Sequence, residues 1–133
     1  DINHIISYGS NQSNAMYSLS VLAKLKNWKF TYYTNHIPSF LEQNPQGNYK
    51  YALENGMQII TGNYDINNIK LTKNQLLINE GGAIEEAQYG IKLLAQELDD
   101  FIRSSNLKDV KIFLPSGTGT TALFLQKYLL ISL

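Results

Sequence analysis

The sequence contains no cysteine, and this absence excludes several classes of protein. Disulfide scaffolds, cysteine-ligated zinc sites and thiol catalysis all require that residue, and a cysteine-free chain fits a reducing compartment. An excess of charge of one sign is also missing, because 11 Lys and Arg residues balance 11 Asp and Glu residues. Without a basic stripe to contact phosphates, we do not expect general nucleic-acid binding.

Long apolar runs are missing as well. None approaches the roughly 20 residues of a membrane span, so no membrane partner is expected. The first residues, Asp1 to Ile6, lack the basic start of a signal peptide. The 133 residues are 44% hydrophobic, which is enough for one packed domain. We therefore expect a soluble, cytoplasmic globular chain.

Groups for acid–base or metal chemistry are scarce. His4 and His36 are the only histidines, and the apolar, strand-like surroundings of His4 favour a structural role. No metalloprotease motif, paired metal ligands or nucleophile elbow is present, so no metal site is predicted. Asp99 and Asp100 fall late on a long amphipathic stretch and are expected on its solvated face.

Apolar runs bounded by turn residues alternate with stretches of helical periodicity. The predicted strands cover 4–8, 28–33, 57–60, 76–78 and 111–114, and the predicted helices cover 14–25, 48–55, 84–102 and a stretch after 121. This alternation is typical of an α/β fold with a mostly parallel, open twisted sheet and helices on both faces.

The turn from Gly9 to Asn14, GSNQSN, lies between the first strand and the first helix. Ligands of α/β proteins bind beyond the carboxyl ends of strands, and free N–H groups at a helix start favour an anion or a carboxylate. The alternative interpretation is that Ser13 or Asn14 only caps the helix. Spacing alone leaves both open.

The turn from Ser116 to Thr121, SGTGTT, follows the last predicted strand. Its glycines would let the backbone wrap closely around a phosphate group, and its hydroxyls would donate hydrogen bonds to the phosphate oxygens. It lacks the Lys of a Walker loop and the third Gly of a dinucleotide fingerprint. The alternative is a tight turn with a threonine cap. A third turn, Glu80 to Ala83, has paired glycines that indicate unusual backbone angles or a close approach.

The last residues, Leu123 to Ile131, are strongly apolar. The end of a small soluble domain rarely exposes so much Leu, Phe and Ile, so we expect a fragment of a longer protein. The alternative is a short protein whose last helix packs on its own core.

The order of these turns resembles that of pyridoxal-phosphate enzymes of the tryptophan-synthase β-subunit type, and most closely 1-aminocyclopropane-1-carboxylate deaminase and D-cysteine desulfhydrase. Gln12-Ser13-Asn14 matches the triplet in that group's Gly-Gly-x-Gln-Ser-Asn-His turn. The segment Gly117–Thr121 resembles its phosphate loop, Gly81-Gly82 its glycine pair before a helix, and Gly47-Asn48 the start of its Gly-Asn helix.

The resemblance implies a two-domain fold, with residues 1–110 mostly in the small inserted domain and 111–133 at the start of the cofactor domain. It implies pyridoxal 5'-phosphate as cofactor, a small amino acid as substrate, a homodimer, and either deamination with ring opening or β-elimination of sulfide and ammonia. The cofactor would be the electron sink.

The resemblance also implies roles by position. Asn14 would bond the phenolic oxygen of the pyridoxal ring, and Gln12, Ser13 and Asn14 would bind substrate, with Ser13 holding its carboxylate. Ser13 is also the candidate for proton transfer, and hence the catalytic residue of this chain. The phosphate would be held by Gly117, Thr118, Gly119, Thr120 and Thr121.

Some positions depart from the family pattern. Ala15 replaces a His, Ser10 replaces a Gly, and Ala122 stands where His or Gln is common. The family's Schiff-base lysine lies upstream of the Gln-Ser-Asn turn, and no lysine here has that context, so we expect this chain alone to be inactive. The alternatives are a non-catalytic α/β module that binds a phosphate-bearing ligand, and a flavodoxin-like domain with ordinary capped helices.

Overall fold

A computed structural model of the chain describes residues 1–130. The chain divides into two compact units, one from Asp1 to Gly82 and one from Ala83 onward. The domain division expected near residue 110 stays a prediction. The first unit contains the whole β-sheet found among the described residues.

Four parallel strands form this sheet: β1 (His4–Tyr8), β2 (Lys29–Thr34), β3 (Gln58–Thr61) and β4 (Gln75–Ile78). Their order is β3-β2-β1-β4. The chain therefore builds outward from β1 to β3 on one side and then returns to place β4 on the other side of β1. The α/β class and the parallel sheet are confirmed.

Three helices belong to this unit: α1 (Asn14–Lys26), α2 (Ser39–Gln43) and α3 (Gly47–Glu54). Helix α1 ends where Asn27 adopts a left-handed conformation (φ 55°), a common helix stop. The short helix α2, which follows Pro38, was not predicted from sequence.

The core lies where α1 and α3 pack against each other and one face of the sheet. Period-2 alternation sends Ile5, Phe30 and Tyr32 to this face, while their strand neighbours point to the other. The buried members of the cluster are Ile5, Met16, Ala23, Phe30, Tyr32, Ile37, Leu41, Tyr49, Ala52 and Met57.

The second unit contains α4 (Gln88–Ser104) and α5 (Thr120–Tyr128), which pack together. The predicted helix over 84–102 begins later than expected, because Glu85–Ala87 forms a separate 3-10 turn. None of the helices among residues 1–130 is both long and apolar enough to cross a membrane.

Two sequence expectations in this unit are wrong. The segment Lys111–Leu114 is not a strand, and Phe113 is 88% exposed. Its apolar pattern fits a strand, but a strand needs a neighbour, and its backbone makes no backbone hydrogen bond to any described residue. Asp99 is buried at 3% exposure rather than solvated, because it faces the residues after α5 and its Oδ2 accepts from the N–H of Leu130 at 3.0 Å.

Candidate functional site

The candidate site lies at the carboxyl edge of the sheet, between β1 and β4. The strand order reverses at this point, and open α/β sheets bind ligands in the crevice there. The turn Gly9–Ser13 leaves β1 and enters α1, and the turn Glu80–Gly82 follows β4. The predicted Gln-Ser-Asn triplet therefore sits at the switch point of the fold.

Gly9 lets the two turns approach each other. Its φ is +135°, and a Cβ there would lie 2.7 Å from Oε1 of Glu80. Gly81 and Gly82 also have positive φ, at 65° and 66°, so the unusual backbone expected for the paired glycines is observed. A side chain at position 9 would push Glu80 away from the turn.

Ser13 is the N-cap of α1, where its Oγ accepts from the N–H of Met16 at 3.2 Å. The capping interpretation is thus observed. The N–H groups of Asn14 and Ala15, at the first turn of the helix, have no hydrogen-bond partner among the described residues. These two amides are free to bind an anion, and the helix dipole favours negative charge beside them.

Tyr32 forms the floor beneath the turn. Its hydroxyl donates to the carbonyl of Ser10 at 3.0 Å, and its side chain is almost fully buried. Burial raises the pKa of Tyr32 to about 12, against a smaller opposing effect of a hydrogen bond with Ser13 and with a further increase from Glu80. Tyr32 therefore stays protonated at neutral pH and serves as a fixed hydrogen-bonding group.

The side chain of Gln12 fastens this turn to the start of α3. Its Oε1 accepts from the N–H of Asn48 at 3.1 Å, and its Nε2 donates to the carbonyl of Gln46 at 3.2 Å. Gly47 (φ +60°) makes room, since a Cβ there would lie 2.6 Å from Oε1 of Gln12. Both ends of the Gln12 amide are engaged by the protein itself.

Asn48 fixes the orientation of Asn14. The Nδ2 of Asn48 donates to the carbonyl of Gln12 at 3.0 Å and to Oδ1 of Asn14 at 2.7 Å. A backbone carbonyl can only accept a hydrogen bond, so the Asn48 group that faces Gln12 must be its NH₂. The Asn14 atom that faces the same NH₂ must then be its acceptor, Oδ1. The exposed Asn14 therefore keeps its own Nδ2 as a donor for a ligand.

Sequence reasoning noted Gly47-Asn48 only as the start of a Gly-Asn helix and missed this contact. The available sign was an amide side chain in the first turn of a helix, where such a group can reach a neighbouring loop.

Three tyrosines cluster at the same edge of the sheet. Tyr8 and Tyr33 are register partners on β1 and β2, and the ring of Tyr64 lies 6.2 Å from that of Tyr8 and 5.6 Å from that of Tyr33. Burial raises the pKa of Tyr64, and the charge of Glu80 raises it further. The side chain of Glu80 itself lies across Gly9, the residue that follows Tyr8.

The Gly/Thr turn belongs to the second unit, at the start of α5. Gly119 has φ +81°, and no side chain caps the helix, so the alternative of a threonine cap is not observed. The hydroxyls of Thr118 and Thr120 lie 3.0 Å apart, and a Cβ at Gly117 would meet nothing within 4 Å. An exposed, uncapped helix start with neighbouring hydroxyls suits a phosphate group. Thr121 lies in the first turn of α5 and is exposed.

A cavity of about 500 Å³ lies at the opposite, amino edge of the sheet. It is lined by Asn3, His4, Asn27, Trp28, Lys29, Thr72, Asn74 and Gln75. None of the predicted site residues contributes to it. His4 bonds there to Thr31 (2.8 Å) and Gln75 (3.0 Å), which agrees with the structural role expected for it.

Groups of three or more potential metal-ligating side chains are not found among residues 1–130. No family model matches the chain, and no curated protein matches it. The function of this chain must therefore be inferred from the geometry of the turn before α1 and of the Gly/Thr turn before α5.

Proposed function

We propose that this chain contributes the substrate-binding turn and the phosphate-binding turn of a pyridoxal-phosphate-dependent enzyme that acts on a small amino acid. The reaction would be a deamination or a desulfhydration, and the enzyme would work as a homodimer. The lysine that binds the cofactor covalently is assigned to a part of the protein outside residues 1–133. The fold around these turns would be of the tryptophan-synthase β type, with helices on both faces of the sheet.

The observation that carries the proposal is the donor set at the switch point. Asn14 offers its Nδ2, and the N–H groups of Asn14 and Ala15 are free beside it. All three are donors, so they suit a ligand that only accepts, such as a carboxylate or a phenolic oxygen. Those are the two groups that the resemblance assigns to this turn.

The second support is the start of α5, where the chemistry fits a phosphate. The backbone is left-handed at Gly119, the helix start is uncapped, and two threonine hydroxyls are adjacent. The two turns thus fit the two anionic groups that an amino acid and its phosphorylated cofactor would bring.

Pyridoxal phosphate, when bound, supplies an electron sink for the substrate. The residues of this chain would hold and orient the reactants. Ser13 would hold the substrate carboxylate together with the helix amides, and its Oγ is the candidate proton carrier. Tyr32, protonated at neutral pH, would hold the turn in place through Ser10.

The test is an NMR titration of the full 133-residue chain with pyridoxal 5'-phosphate, and with pyridoxal as the matched ligand that lacks phosphate. We expect pyridoxal 5'-phosphate alone to shift the amide resonances of residues 117–121. Equal shifts with both ligands, or none, would contradict the assignment of the phosphate turn. A borohydride-stable lysine adduct within this chain would contradict the assignment of the lysine.

A second candidate is a non-catalytic module that binds a phosphate-bearing ligand. The uncapped start of α5 favours it, because that turn needs no contribution from the first one to bind a phosphate. Inorganic phosphate distinguishes the two. The module predicts that phosphate alone saturates residues 117–121 and that no amino acid shifts residues 13–15.

A further inference from the structure

The cavity at the amino edge of the sheet shares no residue with the candidate site. Its volume of about 500 Å³ lies within the usual range of small-molecule pockets, roughly 300 to 1,000 Å³. Gln75, His4 and Lys29 begin the neighbouring strands β4, β1 and β2, and the pairing register sets them side by side. Register partners in a sheet point to the same face, so these three side chains form one row in the wall of the cavity.

The acceptor atoms of this row are already engaged by the protein. The N–H of Thr72 donates to Oε1 of Gln75 at 3.0 Å, which leaves Nε2 of Gln75 to donate to Nδ1 of His4 at 3.0 Å. The other ring nitrogen of His4 then carries the proton and donates to Oγ1 of Thr31 at 2.8 Å. What the row keeps for a ligand is the second N–H of the Gln75 amide and the ammonium group of Lys29.

A pair of asparagines in the lining continues this polarity. Nδ2 of Asn74 donates to Oδ1 of Asn3 at 2.7 Å, and Oδ1 of Asn74 accepts from the hydroxyl of Thr72. Asn3 therefore keeps its own Nδ2 for a ligand. The groups that Asn3, Gln75 and Lys29 can still offer are all N–H donors, which suit a ligand that accepts hydrogen bonds.

Positive charge is concentrated in the chain segments around the cavity, although the chain as a whole is neutral. Residues 1–4, 26–29 and 70–75 contain the lining. They include one acidic residue, Asp1, and four of the 11 basic residues of the chain: Lys26, Lys29, Lys70 and Lys73. This local excess of positive charge favours an anionic ligand over a neutral one.

Lys29 supplies the charge of the lining itself. The one ion pair found among residues 1–130 joins Lys50 to Glu54, so the ammonium group of Lys29 has no carboxylate partner there. Burial, and after it the charge of Lys29, lower the pKa of His4, so the histidine is neutral at neutral pH. The lining therefore carries one positive charge, on Lys29, and no negative charge.

The carboxyl end of α1 also reaches the cavity, through Asn27 and Trp28. Such a helix end favours positive charge, and Lys24 and Lys26 in the last turn already supply it. Two carbonyls of that turn accept from the N–H groups of Asn27 and Trp28, at 3.2 and 2.8 Å. The end of α1 therefore does not call for a cationic ligand, while the indole of Trp28 offers a flat apolar surface to the body of a ligand.

We propose that the cavity at the amino edge binds a small organic anion, of the class of an aromatic carboxylate. The carboxylate would accept from Lys29 and Gln75, and the ring would lie against Trp28. Lys29 repels an ammonium group, so an amine or a zwitterionic amino acid is disfavoured here. The inference does not rest on the proposed function, because the two sites have no residue in common.

The experiment uses three ligands that share one ring and differ in charge. Benzoate is negative, benzyl alcohol is neutral and benzylamine is positive, and each is titrated into the full chain. Trp28 is the single tryptophan of the chain, so its fluorescence reports on the cavity that it lines. NMR of the side-chain amides of Asn3 and Gln75 gives a second, independent signal from the same cavity.

Three variants separate the role of Lys29 from that of net charge. Lys29→Gln removes the charge, and Lys29→Arg keeps it. Lys50→Gln removes the same charge from α3, elsewhere in the same unit. Lys29 and Lys50 are both exposed, so none of these changes disturbs the core.

We expect benzoate to change the emission of Trp28 and to shift both side-chain amides in a saturable way. Benzyl alcohol should bind about tenfold more weakly or worse, and benzylamine more weakly still. Lys29→Gln should weaken benzoate by about tenfold, since a charged hydrogen bond is lost. Lys29→Arg should retain most of the binding, and Lys50→Gln should not change it.

Benzoate that leaves the emission of Trp28 unchanged would overturn the inference. Binding of benzyl alcohol or benzylamine as tight as that of benzoate would also overturn it, because the cavity would then not select an anion. Unchanged benzoate binding in Lys29→Gln, or equal weakening in Lys50→Gln, would remove Lys29 from the site.

Discussion

Asn48 holds the side-chain amide of Asn14 in one orientation, with its Nδ2 at 2.7 Å from Oδ1 of Asn14. The same NH₂ group also donates to the carbonyl of Gln12, so it cannot turn around without losing both bonds. A residue at the start of α3 therefore decides that Asn14, at the start of α1, is a donor toward the switch point.

Asn48→Asp should rotate the side-chain amide of Asn14, so that it presents an acceptor instead of a donor to a ligand. An aspartate accepts instead of donating, so the Asn14 amide is expected to rotate and present Oδ1 outward. Binding of cyclopropanecarboxylate should weaken by about tenfold, because one donor is lost and a negative charge is gained. NMR titration measures the affinity, and the Asn14 side-chain amide resonances report the rotation.

Asn44→Asp is the control, since Asn44 is an exposed residue of the same unit and the change adds the same charge. If both variants bind cyclopropanecarboxylate equally weakly, the added negative charge explains the effect, and Asn48 has no role in positioning Asn14.

Gly9→Ala should destabilise the protein more than Gly62→Ala. Both glycines have strongly positive φ, at 135° and 117°, so each alanine should cost about 1 to 3 kcal/mol of backbone strain. Only position 9 adds a steric conflict, with Oε1 of Glu80 at 2.7 Å, whereas a Cβ at Gly62 meets nothing within 4 Å. Urea unfolding measures the difference.

The extra loss at position 9 should shrink when Glu80 is also replaced by Ala, because the shortened side chain removes the conflict. If Gly9→Ala and Gly62→Ala lower the free energy of unfolding equally, Glu80 does not occupy the position described.

The stability of the sheet should fall on acidification through the histidine range. Burial, with a smaller effect of Lys29, lowers the pKa of His4. Oε1 of Gln75 accepts from the N–H of Thr72, and this fixes the Gln75 amide with its Nε2 toward Nδ1 of His4. Nδ1 must therefore be unprotonated in order to accept the hydrogen bond from Gln75. Because the pKa of His4 is lower in the folded protein, the unfolded chain binds the proton more readily. The contribution of neutral His4 to the free energy of unfolding is therefore complete above about pH 6.5, and it is lost as the pH falls through the pKa of His4 in the folded protein.

His4→Gln should flatten that part of the profile. The measurement is the free energy of unfolding in urea from pH 8 to pH 5. If the free energy of unfolding of the variant falls with pH as steeply as that of the unchanged protein, groups other than His4 cause the loss of stability at acid pH.

Asp99 should protect the N–H of Leu130 from hydrogen exchange. Its buried Oδ2 accepts from that N–H at 3.0 Å and fastens the residues after α5 to α4. Asp99→Ala should speed exchange of the Leu130 amide by about tenfold or more, since the hydrogen-bond acceptor of that amide is lost. Asp100→Ala, an exposed neighbour on the same helix, should leave it unchanged.

Much of the first unit could be predicted from sequence because its signals are local. The apolar run at 4–8 and the aromatic run at 28–33 give β1 and β2 nearly to the residue, and the helix after Ser13 begins where a cap is expected. The position of the Gln-Ser-Asn turn beyond a strand follows from the same pattern.

What could not be predicted depends on contacts between distant segments. The strand expected at Lys111–Leu114 requires a neighbouring strand that its own residues do not specify. The burial of Asp99 depends on Leu130, and the orientation of Asn14 on Asn48, which are 31 and 34 residues away. The closeness of Glu80 to Gly9 similarly follows from the placement of β4 beside β1.

The most direct test of the central claim is an NMR titration of the full chain with 1-aminocyclopropane-1-carboxylate, read at every amide. The claim predicts saturable shifts at Ser13, Asn14 and Ala15 and at the Asn14 side-chain amide, at the carboxyl edge of the sheet. Saturable shifts confined to the cavity at the amino edge, around Asn74 and Gln75, or no saturable shifts at all, would contradict it.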